Sequence, residues 1–74
     1  MKTISVMIPC YNEEENVKAI SEAVIREITT NLPSYDYEIL FIDNDSTDRT
    51  REYLREICAD NSKIRAIFNA KNFG

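Results

Sequence analysis

Three short polar runs hold the residues able to do chemistry: Pro9-Cys10-Tyr11-Asn12-Glu13, Asp43-Asn44-Asp45-Ser46-Thr47-Asp48, and Asn69-Ala70-Lys71-Asn72-Phe73-Gly74. Tyr11 offers an aromatic face on which a flat base can stack, and the carboxylates of Asp43 and Asp45 can accept hydrogen bonds from a ring N–H or from sugar hydroxyls. As residue types these make a nucleoside-binding set. The same residues also have plainer uses. Tyr11 can be a half-buried loop aromatic, Asp45 and Asp48 can be helix N-caps, and Glu13, Glu14 and Glu15 can be surface charge matched to a helix dipole.

The inventory excludes more than it offers. The chain has no His, which removes Ser/His/Asp and Cys/His catalysis, HExxH zinc sites and imidazole acid/base chemistry. Its one Gly is the last residue, so neither a P-loop nor a GxGxxG turn can hold a phosphate. Nine Lys and Arg against 13 Asp and Glu leave a net charge of -4, with no basic run to neutralise DNA or RNA phosphates, so no nucleic-acid partner is expected. Cys10 and Cys58 lack CxxC spacing and read as reduced, buried thiols of an intracellular protein, hence a cytoplasmic location. The apolar run before Pro9 is too short for a signal-peptide core and far short of the roughly 20 residues of a membrane helix.

Those polar runs need elements to position them. Residues 3 to 9, β-branched and apolar and ending at Pro9, read as a first strand. From Glu13 to about Asn31, Val17, Ile20, Val24 and Ile28 recur at helical spacing, with Asn12 as the expected N-cap and Glu15 at capping-box distance. Tyr37 to Asp43 reads as a second strand, with four consecutive large apolar residues suiting coverage on both faces. A second helix is expected after Asp45, Ser46 and Thr47, which offer N-caps. It buries Tyr53, Leu54, Ile57 and Cys58 and turns Arg49, Arg51, Glu52, Arg55 and Glu56 to water. Lys63 to Phe68 reads as a third strand.

The fold class is therefore α/β, a β-α-β-α-β parallel three-stranded sheet, whose carboxyl-end crevice would gather the three polar runs. With strand order 3-2-1, both right-handed crossover helices fall on one face and leave the other bare. A chain of 74 residues has a thin core. Either more chain covers that face or copies pair through it, so a homo-oligomer is expected of this piece alone. A receiver-like phosphoacceptor domain is disfavoured, since no acidic pair follows the first strand and no acceptor Asp the third.

The runs Ile4 to Asn16, Phe41 to Thr50 and Asn69 to Gly74, in that order and spacing, resemble family 2 glycosyltransferases of the GT-A fold. Within that family they are most similar to the polyprenyl-phosphate sugar transferases related to dolichyl-phosphate mannose synthase. The resemblance implies that residues 1–74 are the N-terminal, nucleotide-binding (Rossmann-like) part of such a domain. It implies a UDP- or GDP-linked sugar as donor, a polyprenyl phosphate as acceptor, and Mg or Mn held by an Asp-x-Asp motif further along. Membrane attachment would come only through C-terminal segments absent here. Carried over by position, Pro9, Tyr11 and Glu13 match the first nucleotide-contacting loop and Asp43 the base-recognising aspartate. Asp45 stands where the family's Asp-Asp-Gly-Ser has Gly, and Asn44 where it has the second Asp. Asp tolerates the left-handed backbone that Gly would supply, so the turn is expected to survive. No catalytic residue can be assigned, and the 74 residues alone are expected to be inactive. The contrasting reading is a non-catalytic module that self-associates through its bare sheet face, its nucleotide contacts vestigial.

Overall fold

The computed structural model describes residues 2–69. Three strands, β1 (Thr3–Cys10), β2 (Asp36–Asn44) and β3 (Ile64–Asn69), alternate with two helices, α1 (Val17–Asn31) and α2 (Thr50–Asp60). The strands form one parallel sheet in the order β1-β2-β3. The expected β-α-β-α-β architecture and strand order are both present. The loop Ala70 to Gly74 lies outside the described residues.

Alternation along each strand decides the two faces. Ile4, Val6, Ile8 and Cys10 of β1, the odd positions Tyr37 to Asp43 of β2, and Ile64, Ala66 and Phe68 of β3 turn toward the helices. A single core joins Cys10, Ile39, Phe41 and Ile64 from the sheet to Val17, Leu54 and Ile57 from the helices. Phe41 and Ile39 of the central strand are completely or almost completely enclosed, and each such side chain contributes roughly 1.5–3 kcal/mol of burial.

The other face has no helix. Met7 is 64% exposed and Ile67 47%, while Leu40 and Ile42 are only part-covered. The four-residue apolar run of β2 had suggested cover on both faces, but within the described chain one face alone is covered. Right-handed crossovers in a β1-β2-β3 order place α1 and α2 together, and they pack against each other, with Lys18 Nζ 3.0 Å from Glu56 Oε1 across the helix pair.

Helix boundaries differ from the sequence expectation at both N-termini. α1 begins at Val17, and residues 13–16 form a turn in which the Glu13 carbonyl accepts from the N–H groups of Asn16 and Val17. Asn12 is not its cap: its φ of 49° and its side chain serve the next loop, and no side chain caps Asn16. α2 begins at Thr50, not directly after Ser46 and Thr47, and Asp48 takes the capping role by accepting the Thr50 N–H at 2.9 Å. The Leu32-Pro33 stop of α1 is where the sequence puts it.

Because a single layer of side chains stabilises the sheet, Phe41→Ala should remove roughly 3–5 kcal/mol. The expected result is loss of the cooperative thermal transition by circular dichroism; a melt within a few degrees of the parent would contradict this core.

Candidate functional site

Register places the strand ends side by side: Cys10 pairs with Asp43, Asp43 with Phe68, and Asn44 with Asn69. The loops that follow β1 and β2 therefore leave the sheet at one level, in the crevice where open parallel sheets hold ligands.

The two loops are stitched to each other. The Asn12 N–H donates to Ser46 Oγ at 2.9 Å, and the Thr47 N–H donates to Asn12 Oδ1 at 2.8 Å. The Glu13 N–H donates to Thr50 Oγ1 at 2.7 Å and the Glu14 N–H to Asp48 Oδ2 at 3.2 Å. Each bond joins residues more than thirty positions apart, so the loops form one unit. Two turns of the chain make this possible, with Asn12 at φ 49° and Asp45 at φ 61° in the left-handed region. The turn that the family pattern builds on Gly thus survives with Asp45, as the tolerance of Asp for this conformation allows.

Beneath the loops lies Asp43, with 0% exposure. Its Oδ1 accepts from the Ser46 hydroxyl, while Oδ2 accepts from the Ser46 N–H at 3.1 Å and from Arg51 Nε at 2.8 Å. Burial pushes this carboxyl up, but the bonds from Ser46 and Arg51 together outweigh burial and leave it below its ordinary value. Asp43 is thus an ionised floor beneath the crevice. In this structure both carboxylate oxygens accept bonds from Ser46 and Arg51.

Cys10, beside it on β1, shows the opposite balance. Burial first, then the negative charge of Asp43 and of Glu13, raise its thiol to about 11. It stays a protonated packing group at neutral pH, donating toward the Ile8 carbonyl. Both cysteines are free thiols, Cys10 buried and Cys58 part-buried.

The remaining expected site residues face outward to different degrees. Tyr11 is 57% exposed at the tip of the first loop, with its ring available. Pro9 is exposed on the open sheet face at the end of β1, while Glu13 and Asp45 are part-buried at the rim.

Arg51 was expected in water and is not there. Its side chain is 30% exposed; besides binding Asp43, Nη2 donates to the Asn69 carbonyl at 2.9 Å and lies 3.7 Å from Asp45 Oδ1, and the guanidinium sits 5.4 Å from the Phe68 ring centre. A signal for it existed in the spacing Arg51, Leu54, Cys58, which continues the buried stripe of α2 by one turn.

A model of the family "Glycosyl transferase family 2" matches residues 5–74. The chain belongs to glycosyltransferase family 2. It is 42% identical over 71 residues to a Bacillus subtilis (strain 168) protein named "Putative glycosyltransferase CsbB". That alignment covers 96% of this chain and 21% of CsbB, so the chain spans about a fifth of the relative's length.

Among the described residues no three Asp, Glu or Cys side chains gather to hold an ion, and Asp43 is committed to Arg51 and Ser46. These described residues do not make a site for Mg or Mn. Among the described residues no helix is long and apolar enough to cross a membrane.

The backbone at Asp45 yields a direct test. Asp45→Val should be less stable than Asp45→Gly by about 1–2 kcal/mol, because both lose the carboxylate and only Gly relieves the left-handed strain. Urea midpoints of the two variants measure this; equal midpoints would mean the turn imposes no left-handed demand.

Proposed function

We propose that this chain is the nucleotide-sugar-binding portion of a family 2 glycosyltransferase, whose complete form moves a sugar from a UDP- or GDP-linked donor to a polyprenyl phosphate. The observation that carries the reading is Tyr11, an aromatic ring left in the open on a loop held rigidly to its neighbour at the carboxyl edge of a parallel sheet. A ring so placed exposes a stacking surface at little entropic cost on binding, because its loop is already ordered.

In this reading Tyr11 stacks on the base, Pro9 shapes the approach along β1, and Glu13 and Asp45 at the rim accept from the base or the ribose. Asp43 holds the floor, and a base would reach its carboxylate only by exchanging one of the bonds from Ser46 or Arg51. Residues 1–74 form the N-terminal part of the domain, and the sugar-transfer chemistry belongs to the rest of the enzyme. The polyprenyl-phosphate acceptor rests on resemblance of the sequence runs, and the donor class on family membership.

Tyr11→Ala should weaken binding of UDP or GDP by roughly 1–3 kcal/mol, the worth of one base stacked on one aromatic ring. Isothermal titration of parent and variant measures it. An affinity unchanged by the substitution would take Tyr11 out of the site.

The bare sheet face supports a second reading, in which copies of this chain associate through Met7, Leu40, Ile42 and Ile67. Sedimentation velocity should then show a dimer that Met7→Lys/Ile67→Lys converts to monomer. A parent that sediments as a monomer at all concentrations would dismiss it.

A further inference from the structure

Two links join the end of β3 to the end of β2, and they lie on opposite faces of the sheet. On the open face, Asn69 Nδ2 donates to Asn44 Oδ1 at 3.3 Å, a long bond between exposed or half-exposed side chains. On the helix face, Arg51 reaches Asp43, Asp45 and the Asn69 backbone carbonyl with a single guanidinium. The second link is the stiffer one. A guanidinium is a planar fork with fixed donor directions, so satisfying Asp43 through Nε also fixes where Nη2 can donate to a carbonyl. The Phe68 ring on one side of Arg51 limits the remaining freedom of the group.

We propose that Arg51 is a positioning residue for the nucleotide-binding edge, registering the end of β3 at Asn69 against the loop after β2 through the buried carboxylate of Asp43. The inference rests on the nucleotide-binding reading for its consequence and on the Arg51 geometry for its cause. Arg51 need not touch the ligand. It acts through Asp43, Asp45 and Asn69, and through Ser46, whose hydroxyl accepts the Asn12 N–H and so carries the same constraint to the loop bearing Tyr11. All three strand ends are thereby set by one ion pair.

The groups facing Asp43 give the proposal a pH signature. From α2 comes Arg51, from its own loop Ser46 and Asp45, from β1 the protonated thiol of Cys10, from the loop after β1 the carboxylate of Glu13 beyond that thiol, and from β3 the apolar ring of Phe68. Arg51 is the cation in this set. With it, the Asp43 carboxyl lies below its ordinary value, so its contribution to stability is present at neutral pH and lost only as pH falls through that lowered value. Without it, the bond and charge of Arg51 that lower the carboxyl are lost while burial and the Ser46 bonds remain, so the Asp43 carboxyl moves up from its parent value. Stability then improves, relative to the parent, as pH falls from neutrality.

The test compares Arg51→Met and Arg51→Lys with the parent, using amide NMR across pH 4 to 8 and titration with UDP and GDP. Arg51→Met should shift the amides of Asn12, Asp45, Ser46 and Asn69, show a new carboxyl midpoint at Asp43, and bind nucleotide about tenfold more weakly. Arg51→Lys keeps the charge but not the fork. It should restore the low Asp43 midpoint while leaving the Asn69 amide displaced and affinity still reduced. A residue that merely stabilises the fold would lower the melting temperature alike at every pH and leave those amides in place. Shifts confined to α2, or parent-like nucleotide affinity in Arg51→Met, would overturn the proposal. Should the parent bind neither UDP nor GDP, the nucleotide reading fails, and the positioning role is then decided by the amide shifts and the Asp43 midpoint alone.

Discussion

A carboxylate with no exposure at the end of the central strand is the constraint on which the site depends. Burying Asp43 unpaired would cost several kcal/mol, so the chain must bring donors to it. It does so from two directions, with the backbone and hydroxyl of Ser46 on its own loop and the guanidinium of Arg51 from α2. Satisfying Asp43 dictates the turn after β2, including the left-handed Asp45, and the rotation of α2 that brings Arg51 inward. The Ser46 hydroxyl, oriented by Asp43, can then accept from Asn12, which places the loop after β1. One buried charge thus propagates through a short chain of directed bonds to the exposed ring of Tyr11.

Element order, strand direction and the amphipathic faces were legible in the sequence because they rest on hydrophobic periodicity, which is local and strong. The run Ile39-Leu40-Phe41-Ile42 marks the central strand, and Val17, Ile20, Val24 and Ile28 mark the buried side of α1. Helix starts were not legible for a physical reason. Asn12, Ser46 and Thr47 are all good capping residues, but their side chains or backbone bond across to the partner loop instead, and the Asp45 carboxylate lies against Arg51. No local pattern can weigh a cap against a tertiary bond to a residue more than thirty positions away. Arg51 was misplaced on the same account. A charged side chain on a helix is usually solvated; the helical spacing of Arg51 with Leu54 and Cys58 sets it at the edge of the buried stripe, and the buried carboxylate of Asp43 draws it inward.

The uncovered sheet face sets this chain apart from an ordinary parallel sheet. Parallel sheets in α/β proteins are ordinarily covered on both sides, yet Met7 and Ile67 here stand in the open. The side chains of that face alternate strictly with the buried ones, so its apolar character follows from Met7, Leu40, Ile42 and Ile67 themselves and not from a register slip. The chain spans about a fifth of the length of CsbB, a relative in which further residues are available to such a face.

Electrostatics argue for which end of a nucleotide this edge suits. Glu13, Asp45 and Asp48 lie around the two loops and Asp43 beneath them, while the Arg51 charge is spent on Asp43 and Asp45. Phosphate oxygens brought among these carboxylates would be repelled, in a chain whose net charge is already -4. Hydrogen-bond donors of a base or a ribose would instead find acceptors at the rim, and the base a ring to stack on. The backbone N–H groups that could have cradled a phosphate, those of Asn12, Glu13, Glu14 and Thr47, are already consumed by side chains of the facing loop. Under the proposed nucleotide-binding function, this charge pattern suits an uncharged nucleoside better than a diphosphate.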